Sequence, residues 1–374
     1  MRYVGLDVHT KRSSICILDE HGKRVKQELI KGPRSAVVER LRQEPGPISI
    51  CFEASCGYGY LYEKLSPLAA AVTVAHPGQT RLIFKSKKKH DRIDAQKLAK
   101  LLYLDAVPRA YVPQADVRSW RKLIEYRQKL VARRVACKNQ VRAVLRGEGI
   151  EAEGFEAKAL WTKKGLAWLE TLQLPLGPKL AVELAIEELQ EHTGRMRRVE
   201  KELAQLADQH PGVQLLMSIP GVGIRTAEAF AAYVDDVKRF TRSRQVGSYF
   251  GLVPCQDSSA GKDRFGHITR DGPATVRKLL IEAAWQAAQR DPASKALFER
   301  VMNNDPGRKK IAIVAVAHRL CRVMAALLRS GEAYRLDQAE ALDGAEEGAE
   351  GRPSAGGEGL SPPEDTAARK PAVF

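Results

Sequence analysis

Residues 1–10 read MRYVGLDVHT, and apolar side chains recur in this run with the period of two that predicts a β-strand. RSSICILDE at 12–20 repeats the pattern, and EHGK at 20–23 predicts a hairpin turn into a third strand. Helix and strand patterns then alternate in the segments PRSAVVERLRQE, GPISICFEAS, YGYLYEKLSPLAA, AAVTVAHP and DRIDAQKLAKLL. Three strands, helix, strand, helix, strand and helix is the order of a ribonuclease-H-like α/β domain.

Four carboxylates lie within these predicted elements. Asp7 is in the first strand, and Glu53 ends the central strand ISICFEAS. Asp91 and Asp94 are three residues apart in the last helix, a spacing that places both on one helix face. Each acid alone also suits a strand end or a helix cap. Because the first and fourth strands are neighbours in such a sheet, we expect the four acids to converge, and two Mg²⁺ ions would neutralise them.

The densest basic run of the chain, KSKKKH at 85–90, comes directly before this acidic pair. The whole chain carries +16, but the segment from residue 336 holds nine acids and three bases, so residues 1–335 carry +22. A folded body this basic is expected to bind nucleic acid, the alternative being a merely soluble basic protein. The phosphate contacts expected beside the metal site are Lys85, Lys87, Lys88, Lys89 and Arg92.

Long helices are predicted from Pro113 to about residue 210. Apolar residues recur every three or four positions in DVRSWRKLIEYRQKLVARRVACKNQVRAVL at 116–145 and again at 178–210, which predicts a coiled-coil arm or a helical hairpin. The basic face of the first helix suits either nucleic-acid contact or a solvated surface. A compact helical region is predicted up to Arg335, and the Gly-, Ala-, Glu- and Pro-rich remainder is predicted to be disordered.

Residues 218–234, SIPGVGIRTAEAFAAYV, predict two helices joined by a Pro-Gly-Val-Gly turn. In such a helix-hairpin-helix, Gly221 and Gly223 leave backbone N–H groups available for a phosphate. The stretch fails as a dinucleotide-binding motif, because Thr226 stands where the third glycine is required and no strand precedes it. A tight glycine turn without a ligand is the alternative.

A second polar segment, FGLVPCQDSSAGKDRFGHITRDG at 250–272, combines two serines with nearby cations. Serine attacks phosphorus efficiently when positive charge stabilises its alkoxide and the charge that develops on the phosphoryl oxygens. The cations that follow the serines are Lys262, Arg264, His267 and Arg270. Taken alone, the segment is also consistent with a basic polar loop that has no catalytic role.

The cysteines and the hydropathy pattern bear on the cellular compartment. The six cysteines are scattered without a CxxC pair, which argues against a structural zinc site and against a disulfide framework. The N-terminus lacks the apolar segment of a signal peptide, and no apolar run approaches the ~18 residues of a membrane span. The expectation is a cytoplasmic, reduced and soluble protein.

The motifs VGLD, FEAS, DRIDAQKLA, IPGVG and GLVP followed by a serine pair occur in that order. This order closely resembles the transposases of the insertion-sequence one-ten (IS-one-ten) family, which are DEDD-type enzymes also described as bridge-RNA-guided serine recombinases. The resemblance extends over roughly residues 1–335 and implies an α/β fold joined to all-α parts. The expected parts are a RuvC-like catalytic domain over 1–112, a helical coiled-coil arm over 113–211, a C-terminal transposase domain with the helix-hairpin-helix over 212–335, and an acidic disordered tail over 336–374.

The resemblance also implies a chemistry and a set of partners. The four acids would hold Mg²⁺, and a serine of the C-terminal domain would form a covalent phosphoserine link to DNA. In the family this serine lies five residues after the proline of the GL-x-P motif, here Pro254, which points to Ser259, with the adjacent Ser258 as the alternative. The family works as a dimer or tetramer, and a non-coding RNA chooses its donor and target DNA.

Other classes compete with this interpretation. A RuvC-type junction nuclease needs the four acids and water but no serine. An actin-like sugar kinase is suggested by VGLDVHT, but the sequence contains neither a second phosphate loop nor an adenosine motif. In a non-catalytic RNA-binding scaffold the acids would have no role. Metal-dependent cleavage separates the scaffold from both nucleases, and a protein–DNA adduct separates a recombinase from a nuclease.

Overall fold

A computed structural model describes residues 1–83, 91–151, 158–257 and 264–336 of the chain. The chain divides into two compact units, Met1–Leu206 and Ala207–Phe374. The first unit combines a mixed sheet with helices, and the described part of the second is mostly helical. The predicted combination of an α/β domain with helical parts is therefore confirmed at the level of fold class.

The first unit is built on a five-stranded sheet with the order β3-β2-β1-β4-β5. The first strand lies at its centre, antiparallel to β2 and parallel to β4. This mixed sheet is compatible with the predicted RuvC-like fold. The strands are β1 (Arg2–Val8), β2 (Arg12–Leu18), β3 (Arg24–Lys31), β4 (Ile48–Glu53) and β5 (Ala71–Ala75).

Helices cover both faces of this sheet, which explains why its central strands are apolar on both sides. The helices are α1 (Arg34–Arg42), α2 (Tyr58–Leu65), α3 (Pro77–Ile83) and α4 (Asp91–Tyr103). One face packs Leu6 and Phe52 against α1 and α2. Side chains alternate along a strand, so the opposite face carries Cys16 and Cys51, which pack against α4.

Two 33-residue helices, α5 (Ala115–Gly147) and α7 (Leu176–Asp208), pair along their length, with the short helix α6 (Lys163–Thr171) between them in sequence. Arg127 Nε lies 2.8 Å from Glu200 Oε1, and Cys137 Sγ lies 3.7 Å from Glu188 Oε2. Contacts that advance along one helix thus step back along the other, so the two helices run antiparallel. This pairing matches the predicted helical hairpin.

The second unit packs its helices around α13. The helices are α8 (Pro211–Met217), α9 (Ile224–Val234), α10 (Arg244–Tyr249), α11 (Ala274–Arg290), α12 (Pro292–Met302) and α13 (Lys309–Ser330). A two-stranded antiparallel sheet, β6 (Pro254–Gln256) and β7 (Phe265–Ile268), stands apart from them and was not expected from the sequence. Its strands are three and four residues long and largely exposed, too short to show a clear alternation of apolar residues.

The helix over Pro306–Ser330 is long and apolar enough to cross a membrane by length and composition, which was not expected from the sequence. However, 61% of its most apolar window is buried inside the unit. Arg319 within this helix is also buried and lies 3.4 Å from the buried carboxylate of Asp291. A helix that is buried to this extent has the character of a core helix of its unit.

Candidate active site

The register of two parallel strands places Asp7 beside Glu53. Leu6 of β1 is aligned with Phe52 of β4, and each acid is the next residue of its strand. Leu6 and Phe52 face the core that α1 and α2 cover. Because side chains alternate, Asp7 and Glu53 lie on the opposite face, toward α4. The register thus sets these two acids side by side, and their role as metal ligands stays a prediction.

Gly5 lets α4 approach that face closely. A Cβ on Gly5 would lie 2.1 Å from the carbonyl oxygen of Ala95 and 2.3 Å from the amide nitrogen of Ala99. Both are backbone atoms of α4, so only glycine fits at this crossing. Asp94 directly precedes Ala95. The crossing therefore brings Asp94 near the C-terminal end of β1, where Asp7 lies. Asp91 begins the same helix, but its side chain lies outside the described residues.

Two basic side chains lie against these carboxylates. His9 Nε2 is 3.3 Å from Asp7 Oδ2, and Lys97 Nζ is 3.1 Å from Asp94 Oδ1. Glu53 is solvent-exposed, while Asp7 and Asp94 are half-buried. Carboxylate oxygens are the hard donors that Mg²⁺ and similar divalent cations prefer, so the donor set fits such an ion.

Cys51 lies on the same face, adjacent to Phe52 in β4. Burial, and secondarily the charge of Glu53, raises the pKa of the Cys51 thiol to about 12. Without a bound metal this thiol is therefore neutral at physiological pH. The chemistry of the cluster rests on oxygen donors.

The expected phosphate contacts around the acids are only partly described. The side chain of Arg92 is exposed, and its backbone carbonyl accepts a 2.8 Å hydrogen bond from Gln27 Nε2. That bond ties the start of α4, which also carries Asp94, to β3. The predicted contacts Lys85, Lys87, Lys88 and Lys89 lie outside the described residues.

The Pro-Gly-Val-Gly turn joins α8 to α9 as predicted, but its two glycines differ. Gly221 has a φ of +92°, and a Cβ there would lie 2.5 Å from the backbone nitrogen of Ala287. Gly221 is therefore required for packing against α11. Gly223 precedes α9, and a Cβ on it would meet nothing within 4 Å in the described part of the unit. A cavity of about 470 Å³ opens at this turn, with Glu282, Gln286 and Arg290 among its lining residues.

The serine segment lies, in sequence, between the two strands of the small sheet of the second unit. Ser258, Ser259 and Lys262 lie between β6 and β7 in sequence and outside the described residues. The strands that flank them are held together, since the amide of Asp257 donates a 2.9 Å hydrogen bond to the carbonyl of Arg264. Arg264 and Arg270, two of the predicted cations, are exposed at or near β7.

The base of this hairpin contains a residue that the sequence did not indicate, Arg277 of α11. Its Nη1 donates to the carbonyl of Phe250 at 3.0 Å and to that of Asp271 at 2.9 Å. These carbonyls lie just before β6 and just after β7, so one guanidinium clamps both chain ends. Burial, and then the charge of Arg270, lowers the pKa of Arg277, but a guanidinium remains charged at physiological pH. An isolated arginine in a helix gives no sequence signal of such a role.

Glycines complete this clamp. Gly251 has a φ of +64°, and a Cβ there would lie 2.4 Å from the backbone nitrogen and oxygen of Asp271. Gly272, with a φ of +70°, would place a Cβ 2.0 Å from the carbonyl oxygen of Tyr249. The glycine of GLVP is thus needed for backbone-to-backbone packing at the base of β6 and β7. These two strands, which flank the serine segment in sequence, are called the serine hairpin below.

A mixed sheet with carboxylates near α4 is compatible with a DEDD-type transposase domain, and comparison with known proteins agrees. A DEDD transposase family model matches residues 4–149, which include all four predicted acids. A second model, described as the transposase IS116/IS110/IS902 family, matches residues 213–299, which include the glycine turn and the serine pair. The chain belongs to the IS110/IS116 family of transposases.

Whole-chain similarity supports this assignment. A probable family 20 transposase of Pseudomonas aeruginosa is 28% identical over 348 residues, covering 89% of this chain and 98% of the relative. The transposase for insertion sequence element IS1111A of Coxiella burnetii is 29% identical over 344 residues, covering 90% and 92%. The transposase for IS1328 of Yersinia enterocolitica is 26% identical over 338 residues, covering 88% and 98%. Transposases bind DNA and cut and join it, which agrees with the basic charge of the chain.

Proposed function

We propose that this transposase is a DNA recombinase that combines a Mg²⁺-dependent carboxylate site with a serine nucleophile and is guided by a non-coding RNA. The observation that carries the first part is the register of β1 and β4, which sets Asp7 beside Glu53. The close approach of α4 over Gly5 adds Asp94 to them. Two carboxylates of the sheet and one of α4, in a chain whose most basic run directly precedes α4 in sequence, suit a metal site that meets a phosphate.

The carboxylates of Asp7, Glu53 and Asp94, with Asp91, would hold the metal in this proposal. When bound, Mg²⁺ supplies Lewis-acid stabilisation for the charge that develops on a phosphoryl group. His9 and Lys97, which contact Asp7 and Asp94, could also donate hydrogen bonds to the oxygens of a bound phosphate. The exposed Arg92 and the lysines of the preceding run would hold the DNA backbone.

Ser259 is the proposed nucleophile, with Ser258 as the alternative. The serine oxygen forms a bond to phosphorus while one bond from that phosphorus to a deoxyribose oxygen breaks. The serine proton leaves to solvent or base, and the departing deoxyribose oxygen takes up a proton. The phosphoester is conserved in the adduct, so the reverse attack by a new DNA hydroxyl rejoins the strand without another energy source. Arg264, Arg270 and Lys262 would stabilise the developing charge.

The proposed partners are donor and target DNA, a guide RNA and further copies of the chain. The charge of +22 over residues 1–335 supports binding of both nucleic acids. The metal acids and the serine segment belong to different units of the chain, so a dimer or tetramer could assemble one site from two protomers.

The decisive experiment follows covalent protein–DNA adducts on denaturing gels, using purified protein, its copurified RNA, DNA ends and Mg²⁺. Ser259→Ala is expected to abolish the adduct while nucleic-acid binding stays unchanged, because only the attacking oxygen is removed. Asp7→Asn is expected to lower strand cleavage by about 100-fold or more, since a charged metal ligand is removed. The matched control is Asp105→Asn, since Asp105 is 85% exposed and pairs with the exposed Arg109.

The possible outcomes separate the competing interpretations. An adduct that survives Ser259→Ala but not Ser258→Ala moves the nucleophile by one residue. Cleavage without any adduct in the unmodified chain would show a RuvC-type nuclease. If Asp7→Asn cleaves DNA as well as Asp105→Asn does, the metal-site assignment of Asp7 is wrong.

A further inference from the structure

The seam between α5 and α7 contains polar residues where an apolar contact is expected. Buried residues of α7 advance in alternating steps of three and four, as in a coiled coil: Val182, Ala185, Leu189, Val199 and Leu203. Continuing this alternation through the gap between Leu189 and Val199 leads to His192 and Met196. On the facing helix, Cys137 occupies a buried seam position. A thiol and an imidazole thus meet in the middle of an apolar seam.

These side chains form a compact cluster with Glu188, one helical turn before His192 on α7. One ligand atom from each of Cys137, Glu188 and His192 lies within 4.8 Å of the other two. The cluster is the only group of this kind found among the described residues. Spacing of four residues on one helix face is a usual way to direct two ligands at one ion.

One buried polar atom of this cluster lacks a protein partner among the described residues. The Nδ1 atom of His192 is buried and makes no hydrogen bond to any residue that the structure describes. Cys137 Sγ has Glu188 Oε2 as a neighbour at 3.7 Å, the long end of a sulfur hydrogen bond. A buried polar atom without a partner destabilises a fold, so a ligand that engages it is favoured.

We propose that Cys137, Glu188 and His192 form a zinc site that joins α5 to α7. Thiolate, imidazole and carboxylate are the donors that Zn²⁺ takes in proteins, whereas a thiolate is a poor ligand for Mg²⁺. Zinc bond lengths place tetrahedral ligand atoms about 3.3–3.7 Å apart, close to the 3.7 Å between Sγ and Oε2. Side-chain rotations that move the ligand atoms by about an ångström would bring all three to the separation that a tetrahedral zinc site requires.

Three protein ligands leave the fourth zinc position to water, and the exposure of Glu188 gives solvent access to it. The site is separate from the carboxylates of the sheet and does not depend on their assignment. Its effect is to fix the register of two 33-residue helices at a point where apolar packing is interrupted. The helical pair is thereby pinned near the middle of its length.

The test uses the full-length chain, stripped with a chelator and returned to excess Mg²⁺, which occupies sites made of oxygen donors alone. Titration with Co²⁺ is expected to produce a thiolate-to-cobalt charge-transfer band, and Zn²⁺ is expected to displace it at one ion per chain. The parent protein carries Cys56→Ala and Cys255→Ala, which remove the two exposed thiols. In this background, Cys137→Ala is expected to abolish the band.

A second variant keeps the test valid if Cys137→Ala folds poorly. Glu188→Gln changes an exposed residue, and it is expected to weaken Zn²⁺ binding by about tenfold or more. Residues that only support a metal ligand already have effects of this size, so the loss of a direct ligand should have at least as large an effect. Glu187→Gln, also exposed and one position away, is the matched control and is expected to bind within about twofold of the parent. Zn²⁺ should raise the melting temperature of the parent and of Glu187→Gln more than that of Glu188→Gln. A band that persists in Cys137→Ala, or equal zinc affinity in the two glutamine variants, would overturn the proposal.

Discussion

Single residues control how closely the elements of the carboxylate site can meet. Among the glycines described in the sheet and in helices α1 to α4, a Cβ added to Gly5 would come closest to backbone atoms, those of Ala95 and Ala99 in α4. Gly5→Ala is expected to lower the free energy of unfolding by roughly 1–3 kcal/mol, because backbone atoms of α4 must move to admit the methyl group. The same displacement carries Asp94 away from Asp7, so we also expect weaker Mg²⁺-dependent cleavage. Denaturant unfolding and a cleavage assay measure the two effects.

Gly194→Ala is the control for this substitution. Gly194 lies inside α7, and a Cβ on it would meet nothing within 4 Å among the described residues. Alanine there should stabilise the chain by about 0.5–1 kcal/mol, as in other helix interiors. If Gly5→Ala is equally harmless, α4 does not approach β1 as closely as the structure indicates.

At the scale of elements, the serine hairpin depends on α11 as well as on its own two strands. Arg277→Gln removes the guanidinium that holds the carbonyls of Phe250 and Asp271. We expect faster amide hydrogen exchange at Thr269 and Arg270, whose N–H groups bond to Val253 and Gly251 across the clamp. Local stability should fall by about 1–3 kcal/mol, the usual range for hydrogen bonds to a charged group. Adduct yield should fall with it.

Lys278→Gln is the matched control on the same helix. Lys278 is 58% exposed, and its ammonium lies 3.8 Å from Glu282. Exposed pairs of this kind contribute little to stability, so exchange at Thr269 and Arg270 should stay unchanged. Equal exchange in Arg277→Gln and Lys278→Gln would show that the hairpin holds without the clamp.

At the scale of the whole molecule, charge controls binding to nucleic acid. Affinity for duplex DNA is expected to fall steeply with salt, with a log–log slope of about −0.9 for each phosphate that the chain neutralises. Changing the lysines of the basic run to alanine should make this slope shallower by about 0.9 for each phosphate that is no longer neutralised; these are Lys85, Lys87, Lys88 and Lys89. Fluorescence anisotropy over a salt series measures the slope.

The exposed pair Lys163 and Lys164, at the start of α6, provides the control for charge alone. Replacing both with alanine lowers the net charge without touching the segment beside the acids. A slope that changes equally per lysine in both variants would show that charge at any position suffices. The run at 85–89 would then not be a specific contact.

Local patterns in the sequence were enough to predict most of the helices and strands. Alternation of apolar residues located the strands of the sheet, helical periodicity located α5 and α7, and the Pro-Gly-Val-Gly turn marked the junction of α8 and α9. The acids Asp7 and Glu53 could be paired from the sequence, because the expected strand order makes their strands neighbours. These inferences need only local periodicity and a small set of allowed topologies.

Contacts between residues that are distant in sequence became known only from the three-dimensional fold. The need for Gly5 depends on α4 crossing it about ninety residues later, and nothing near Gly5 in the chain indicates this. Cys137 and Glu188 are 51 residues apart in sequence, and only the packing of α5 against α7 brings their side chains within 3.7 Å. Arg277 likewise resembles any helix arginine until its carbonyl partners are known. Such contacts depend on packing between elements, which periodicity along the chain does not encode.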